Sequence, residues 1–200
     1  EIVDNVKSGA IFEIGDLRNA LGVNTIAVGG WLVFNNTNDQ QITTTITNYI
    51  PVGSNTPVPG DVEKKGTGLL SLQGTHNYTG TTLVSEGTLK LLTANAIKQS
   101  SLVKIATGGT LWMSGLSQSF NALQLDGGTL QGGVVSITGT EASIKSNGGT
   151  LRNITGGAAL DLVAGTAAAK RTTTLVTANN TEANSLDRIT VGGYTGTTTI

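Results

Sequence analysis

The stretch GTLKLLTANAIKQSSLVKIATGGTLWMSGLSQSFNALQLDGGTLQGGVVSITGTEASIKSNGGTL, residues 87–151, decides the fold, because one tripeptide recurs in it. Gly87-Thr88-Leu89 returns as Gly109-Thr110-Leu111, Gly128-Thr129-Leu130 and Gly149-Thr150-Leu151, with steps of 22, 19 and 21 residues between leucines. Self-similarity near this period marks a stack of small units, none of which can bury its apolar face alone. Within each unit apolar residues alternate: Leu89 and Leu91 flank Lys90, Leu123 and Leu125 flank Gln124, and Val135 and Ile137 flank Ser136. A period of two turns one face of a strand inward and the other outward. The chain is therefore expected to be all-β, a right-handed single-stranded parallel β-helix (β-solenoid) with one coil per repeat.

Counting outward from Gly87 gives coils over 66–86, 87–108, 109–126 and 127–148, with another opening at Gly149. Earlier coils are expected around 3–12, 25–34 and 41–46, and later ones around 172–176 and 186–191. The expected inward positions are Leu70, Leu72, Leu83, Leu89, Leu91, Leu111, Leu123, Leu125, Leu130, Val135, Ile137, Ile144 and Leu151. The threonines of the tripeptides face outward, where a β-branched side chain suits a sheet surface without charge repulsion between coils. The glycine before each Thr-Leu is expected to permit a turn with positive φ. Helical signal is confined to one turn each at 16–21 and 92–99, the latter outside the stack.

Composition agrees. Charged residues are 12% of the chain, where about 25% is ordinary. The β-branched content argues against disorder. Twelve Lys and Arg against 13 Asp and Glu leave a net charge of −1, with no basic cluster to neutralise phosphates, so nucleic acid is not an expected partner. Lys64-Lys65 and Lys170-Arg171 read as solvated turn residues. The absence of cysteine excludes disulfides and thiolate metal sites. No apolar run approaches the length of a membrane helix. The chain opens at Glu1 without a signal segment and closes in unfinished β sequence, so it is expected to be a fragment of a longer precursor.

One segment breaks the period. Residues 49–61 contain all three prolines, and proline is poorly tolerated in a central ladder. They read as an excursion loop, and loops on rigid scaffolds often carry binding. Tyr49, Pro51 and Pro57 are its candidate partner contacts. Trp112 is a fourth, because it follows the inward Leu111 and should face out.

Catalytic signals are weak. A serine-protease triad needs a placed Ser, His and Asp, and the one histidine, His76, sits on a repeat turn. Polysaccharide cleavage would need clustered carboxylates. Asp4, Glu13 and Asp16 are near in sequence, as are Asp61 and Glu63. Glu141 and Asp161 lie one repeat apart, and the rest are scattered. No catalytic residue, cofactor or metal ligand is expected, and the chain is not expected to be an enzyme.

Residues 64–91 read KKGTGLLSLQGTHNYTGTTLVSEGTLKL. This segment resembles the repeat in passenger domains of bacterial autotransporters, the type V secretion proteins. Lys65, Gly66, Gly68, Leu70, Leu72, Gly74, Tyr78, Gly80, Thr82, Gly87, Thr88 and Leu89 match the pattern. His76 stands where asparagine is usual. Leu32-Val33-Phe34-Asn35 with Ile42 and Ile46 is similar to the preceding coil of such proteins. The resemblance implies a β-helix passenger at the bacterial cell surface or released from it. The precursor would also carry an outer-membrane β-barrel. The expected function is an adhesin or host-interaction factor meeting a host cell-surface protein, matrix or glycan, or a second passenger by self-association. A structural stalk, a secreted ligand for a host receptor and a polysaccharide-degrading β-helix enzyme remain as alternatives.

Overall fold

The structure is a computed structural model that describes residues 5–17, 22–140, 143–156, 158–162, 172–176, 189–191 and 197–199. The strands follow the chain as β1 (Asn5–Val6), β2 (Ile11–Ile14), β3 (Thr25–Val28), β4 (Trp31–Asn35), β5 (Gln40–Ile42), β6 (Thr45–Asn48), β7 (Asp61–Lys65) and β8 (Leu69–Leu72). The series continues through β9 (Thr81–Val84), β10 (Gly87–Leu91), β11 (Leu102–Ala106), β12 (Gly109–Trp112), β13 (Ser117–Phe120), β14 (Leu123–Asp126) and β15 (Thr129–Ile137). It ends with β16 (Ser143–Ser146), β17 (Gly149–Thr155), β18 (Ala159–Leu162), β19 (Thr172–Val176), β20 (Ile189–Val191) and β21 (Thr197–Thr199).

All pairings between these strands are parallel, and each strand pairs with its counterpart one coil away. The first sheet contains β1, β3 and β6, the second runs β2-β4-β7-β9-β11-β14-β16-β18-β20, and the third runs β5-β8-β10-β12-β15-β17-β19-β21. From β3 to β8 the chain visits first, second and third sheet in turn. From β9 on its described strands belong to the second and third sheets, with β13 pairing β15 beside the third, and the molecule is a β-solenoid of about seven turns. No helix occurs among the described residues.

The four tripeptides stack in register. Leu89 faces Leu70 on one side and Leu111 on the other, and the column continues through Leu130, Leu151 and Leu175. Leu70, Leu89, Leu111, Leu130 and Leu151 are fully buried. Beside them Thr88, Thr110, Thr129, Thr150 and Thr174 form the outward threonine column. The glycines have two different roles. Gly87 has φ of +69°, whereas Gly109 lacks a positive φ and is needed because a Cβ there would collide with the Val84 carbonyl of the coil before.

One expected inward position, Leu83, differs from the sequence reading, and Lys64 joins the inward set unexpectedly. Leu83 lies on the outer face opposite Glu63 and Lys104, while Thr82 and Val84 point inward and are buried. The alternation Thr81-Thr82-Leu83-Val84 permits either phase, and the register with Val62 and Lys64 settles it. Lys64 is not a solvated turn residue. It lies within β7 in the inward column between Phe34 and Val84 and is 1% exposed. Its Nζ donates to the carbonyls of Lys65, Gly66 and Glu86 at 2.7, 2.5 and 3.4 Å. Burial lowers its pKa to about 8.

Residues 92–99 form turns rather than a helix, and Ala96 and Ile97 are buried in the stack, not outside it. Where this coil has no strand for the first sheet, backbone bonds from His76 N to Ala96 O and from Asn95 N to Ser117 O remain, and side chains supplement them. Gln118 Oε1 accepts from Ala96 N and its Nε2 donates to Thr93 O, while Asn95 Oδ1 accepts from Ser119 N. The expected turn at 16–21 lies mostly outside the described residues, as do Asp4, Glu141 and Lys170-Arg171.

Candidate binding surface

The outer face of the second sheet carries a groove over the first four coils. It is lined by Ile11 and Glu13 from β2, Trp31 and Val33 from β4, Glu63 and Lys65 from β7, and Leu83 from β9, around a depression of about 400 Å³. Strand alternation explains the set: residues two apart share a face. Register explains the columns, because Ile11 stacks on Trp31, and Glu13 stacks on Val33 and then Glu63. Val33 points outward yet is only 4% exposed, so it forms the floor. Ile11 is 72% exposed at the end of the groove. The carboxylates are held in place. Asn35 Nδ2 donates to Glu13 Oε1 at 2.8 Å, and Ser85 Oγ donates to Glu63 Oε1 at 2.5 Å.

The proline loop leaves between β6 and β7 and returns at this groove, since Asp61, the first residue of β7, stands opposite Trp31. Its neck is tied by Asn48, whose Oδ1 accepts from Gly60 N at 3.2 Å and Thr79 N at 2.9 Å. Tyr49 and Val58 form an antiparallel bridge across the loop base. At the tip Ser54 N donates to Pro51 O at 2.9 Å, and Gly53 supplies φ of +81°, the geometry of a type II turn. The turn presents Val52, which is wholly exposed, next to Ile50, which is 53% exposed.

The four candidate contacts read from sequence fare differently. Tyr49 is half-buried at the loop base, with its Cβ and ring packed over Gly29. Pro51 is half-buried and Pro57 exposed. Trp112 faces outward as expected, on the third sheet rather than near the loop, and Lys90 Nζ lies 4.0 Å from its ring centroid. This cation–π contact covers part of the indole. Ile50, Val52, Ile11 and Trp31 were missed as surface features. The Pro-x-Gly spacing around Val52 signals a turn, but only the register of the first coils reveals the groove.

His76 continues the inward first-sheet column above Ile46 and is 1% exposed. Its Nδ1 accepts from Ile46 N at 3.2 Å, and desolvation lowers its pKa to about 4. A ring so enclosed cannot meet a substrate in solution. Tyr78, another residue of the repeat, is buried with its hydroxyl 2.6 Å from Thr82 Oγ1.

The carboxylates are also redistributed. Asp16, near Glu13 in sequence, turns away to accept from Thr37 and Asn38 of the next coil. The Asn38 backbone N–H and the Thr37 hydroxyl hold its carboxyl below the usual range. Asp61 accepts from Thr81 N, and Asp161 stacks beside Lys145 in a 2.6 Å ion pair. Glu13 and Glu63, far apart in sequence, come together in the groove. Among the described residues no group of three His, Cys, Asp or Glu is placed to hold a metal ion.

No family model, curated protein or solved structure gives a significant match to this chain.

Proposed function

We propose that this chain is a surface-displayed β-solenoid of the autotransporter passenger type that contacts its partner through its first four coils, by the loop 49–60 and the adjoining groove. The observation that carries this reading is the distribution of exposed apolar side chains. Of the four large ones among the described residues, Ile11, Ile50 and Val52 lie at this end, and only Val134 lies elsewhere. Along the rest of the rod the third sheet turns outward a column of threonines. Concentrated apolar exposure on a polar scaffold marks an interaction site. The partner on this reading is a host cell-surface protein, matrix or glycan, and the chain acts as an adhesin at the bacterial cell surface or after release. The precursor would supply an outer-membrane β-barrel.

A stalk is the second reading. The continuous leucine column and the self-covered Lys90–Trp112 pair favour it, because both serve rigidity without a ligand.

The test is binding of the chain to host cells, matrix proteins and a glycan array, beside a variant with residues 49–60 replaced by a short glycine linker. Cell or matrix binding weakened at least tenfold in a still-folded variant supports the adhesive reading. Absence of binding by the folded parent chain to all three supports the stalk.

A further inference from the structure

We propose that the groove over β2, β4, β7 and β9 binds a neutral oligosaccharide of about three sugar residues, laid across the strands with one ring stacked on Trp31. This deepens the adhesive reading and rests on it for biological meaning, though the site stands on its own geometry.

The first argument is dimensional. The groove crosses four coils, from Glu13 to Leu83. Coils in a parallel stack lie ~4.8 Å apart, close to the length of one pyranose ring in an extended chain. A linear glycan across the strands therefore meets the same kind of outward position at each sugar.

The second argument is chemical. A sugar ring has an apolar C–H face and an equatorial belt of hydroxyls. Trp31 contributes a half-buried indole to the groove lining, and Val33 and Leu83 extend the apolar floor. Glu13 and Glu63 flank Val33 in one column, one coil to either side. Each carboxylate has an oxygen oriented by Asn35 or Ser85 and a second oxygen to accept a sugar hydroxyl. Lys65, exposed on the rim, is a donor to ring or hydroxyl oxygens.

The third argument is exclusion. The backbone groups of β4 and β7 are paired on both sides within the sheet. An extended peptide therefore finds no free ladder there to join. Recognition must run through side chains, which suits a hydroxyl-rich ligand. Two carboxylates against one ammonium leave the rim acidic, which disfavours sulfated or uronic glycans.

The experiment uses the full chain in a Trp112→Phe background, so that Trp31 is its one indole. Neutral trisaccharides (cellotriose, chitotriose, maltotriose and mannotriose) and a glycan array are titrated against intrinsic fluorescence and by calorimetry. The expected result is saturable binding of at least one neutral glycan with a change in Trp31 emission. That binding falls tenfold or more in Trp31→Ala and in Glu63→Gln, each checked for native circular dichroism, and persists when residues 49–60 are replaced. No binding across the array, or binding indifferent to both substitutions, overturns the proposal. Absence of glycan binding by a chain whose cell binding is lost on loop replacement overturns the glycan site while leaving the adhesive reading intact.

Discussion

At the scale of single residues the fold is set by which side chains the neighbouring coil tolerates. Gly109 sits against the Val84 carbonyl, whereas a Cβ at Gly15 would meet only the Asn35 carbonyl oxygen, at 3.9 Å. Gly109→Ala should cost about 1–3 kcal/mol through overpacking, and Gly15→Ala should be nearly neutral, as read by denaturant unfolding. Lys64 gives a pH signature. Its folded pKa is about 8 against an ordinary 10.5. Between those values the unfolded chain holds the proton that the native chain has lost, so this contribution to stability grows as pH rises from about 8 to 10.5. Thermal melts across that window should show the rise, and Lys64→Met should remove it. His76 acts in the acid range by the same rule. Its pKa of about 4 against an ordinary 6.5 predicts stability that is full above 6.5 and lost as pH falls toward 4. A His76→Asn variant with an unchanged acid limb would refute that assignment.

At the scale of the element, strands and their spacing were legible because period-two alternation and a recurring Gly-Thr-Leu are strong local signals. The loop was legible from its prolines. The phase of a strand was less so. Thr81-Thr82-Leu83-Val84 offers an apolar residue to either face, and hydrogen-bond register with β7 turned Leu83 out. The burial of Lys64 was illegible for a related reason: a lysine reads as solvated in sequence, and the three carbonyls that surround its ammonium are set by the fold. The groove was illegible because its residues come from four coils, and the excursion loop separates the second from the third. Asn48 ties the loop to the stack through Gly60 and Thr79. Asn48→Ala should therefore cost about 1 kcal/mol by leaving two part-buried donors without their acceptor. It should also raise amide exchange in residues 49–60 while leaving β14 and β16 unchanged.

At the scale of the whole molecule, stacking converts weak repeats into one continuous core and separates two kinds of surface. Neighbouring outward threonines such as Thr88 and Thr110 are register partners, while Thr88 and Thr129 are two coils apart. Because the chain has no cysteine, Thr88→Cys with Thr110→Cys should oxidise to an intramolecular disulfide, and Thr88→Cys with Thr129→Cys should not. The same architecture makes the binding account testable by face. The deciding measurement is host-cell binding of the intact chain beside two folded variants, one carrying Trp31→Ala, Ile50→Ser and Val52→Ser, the other Thr110→Asp and Thr129→Asp. The account predicts that the first variant loses at least tenfold in affinity and the second retains the parent's. Loss confined to the threonine-face variant would contradict it and move the contact surface to the third sheet.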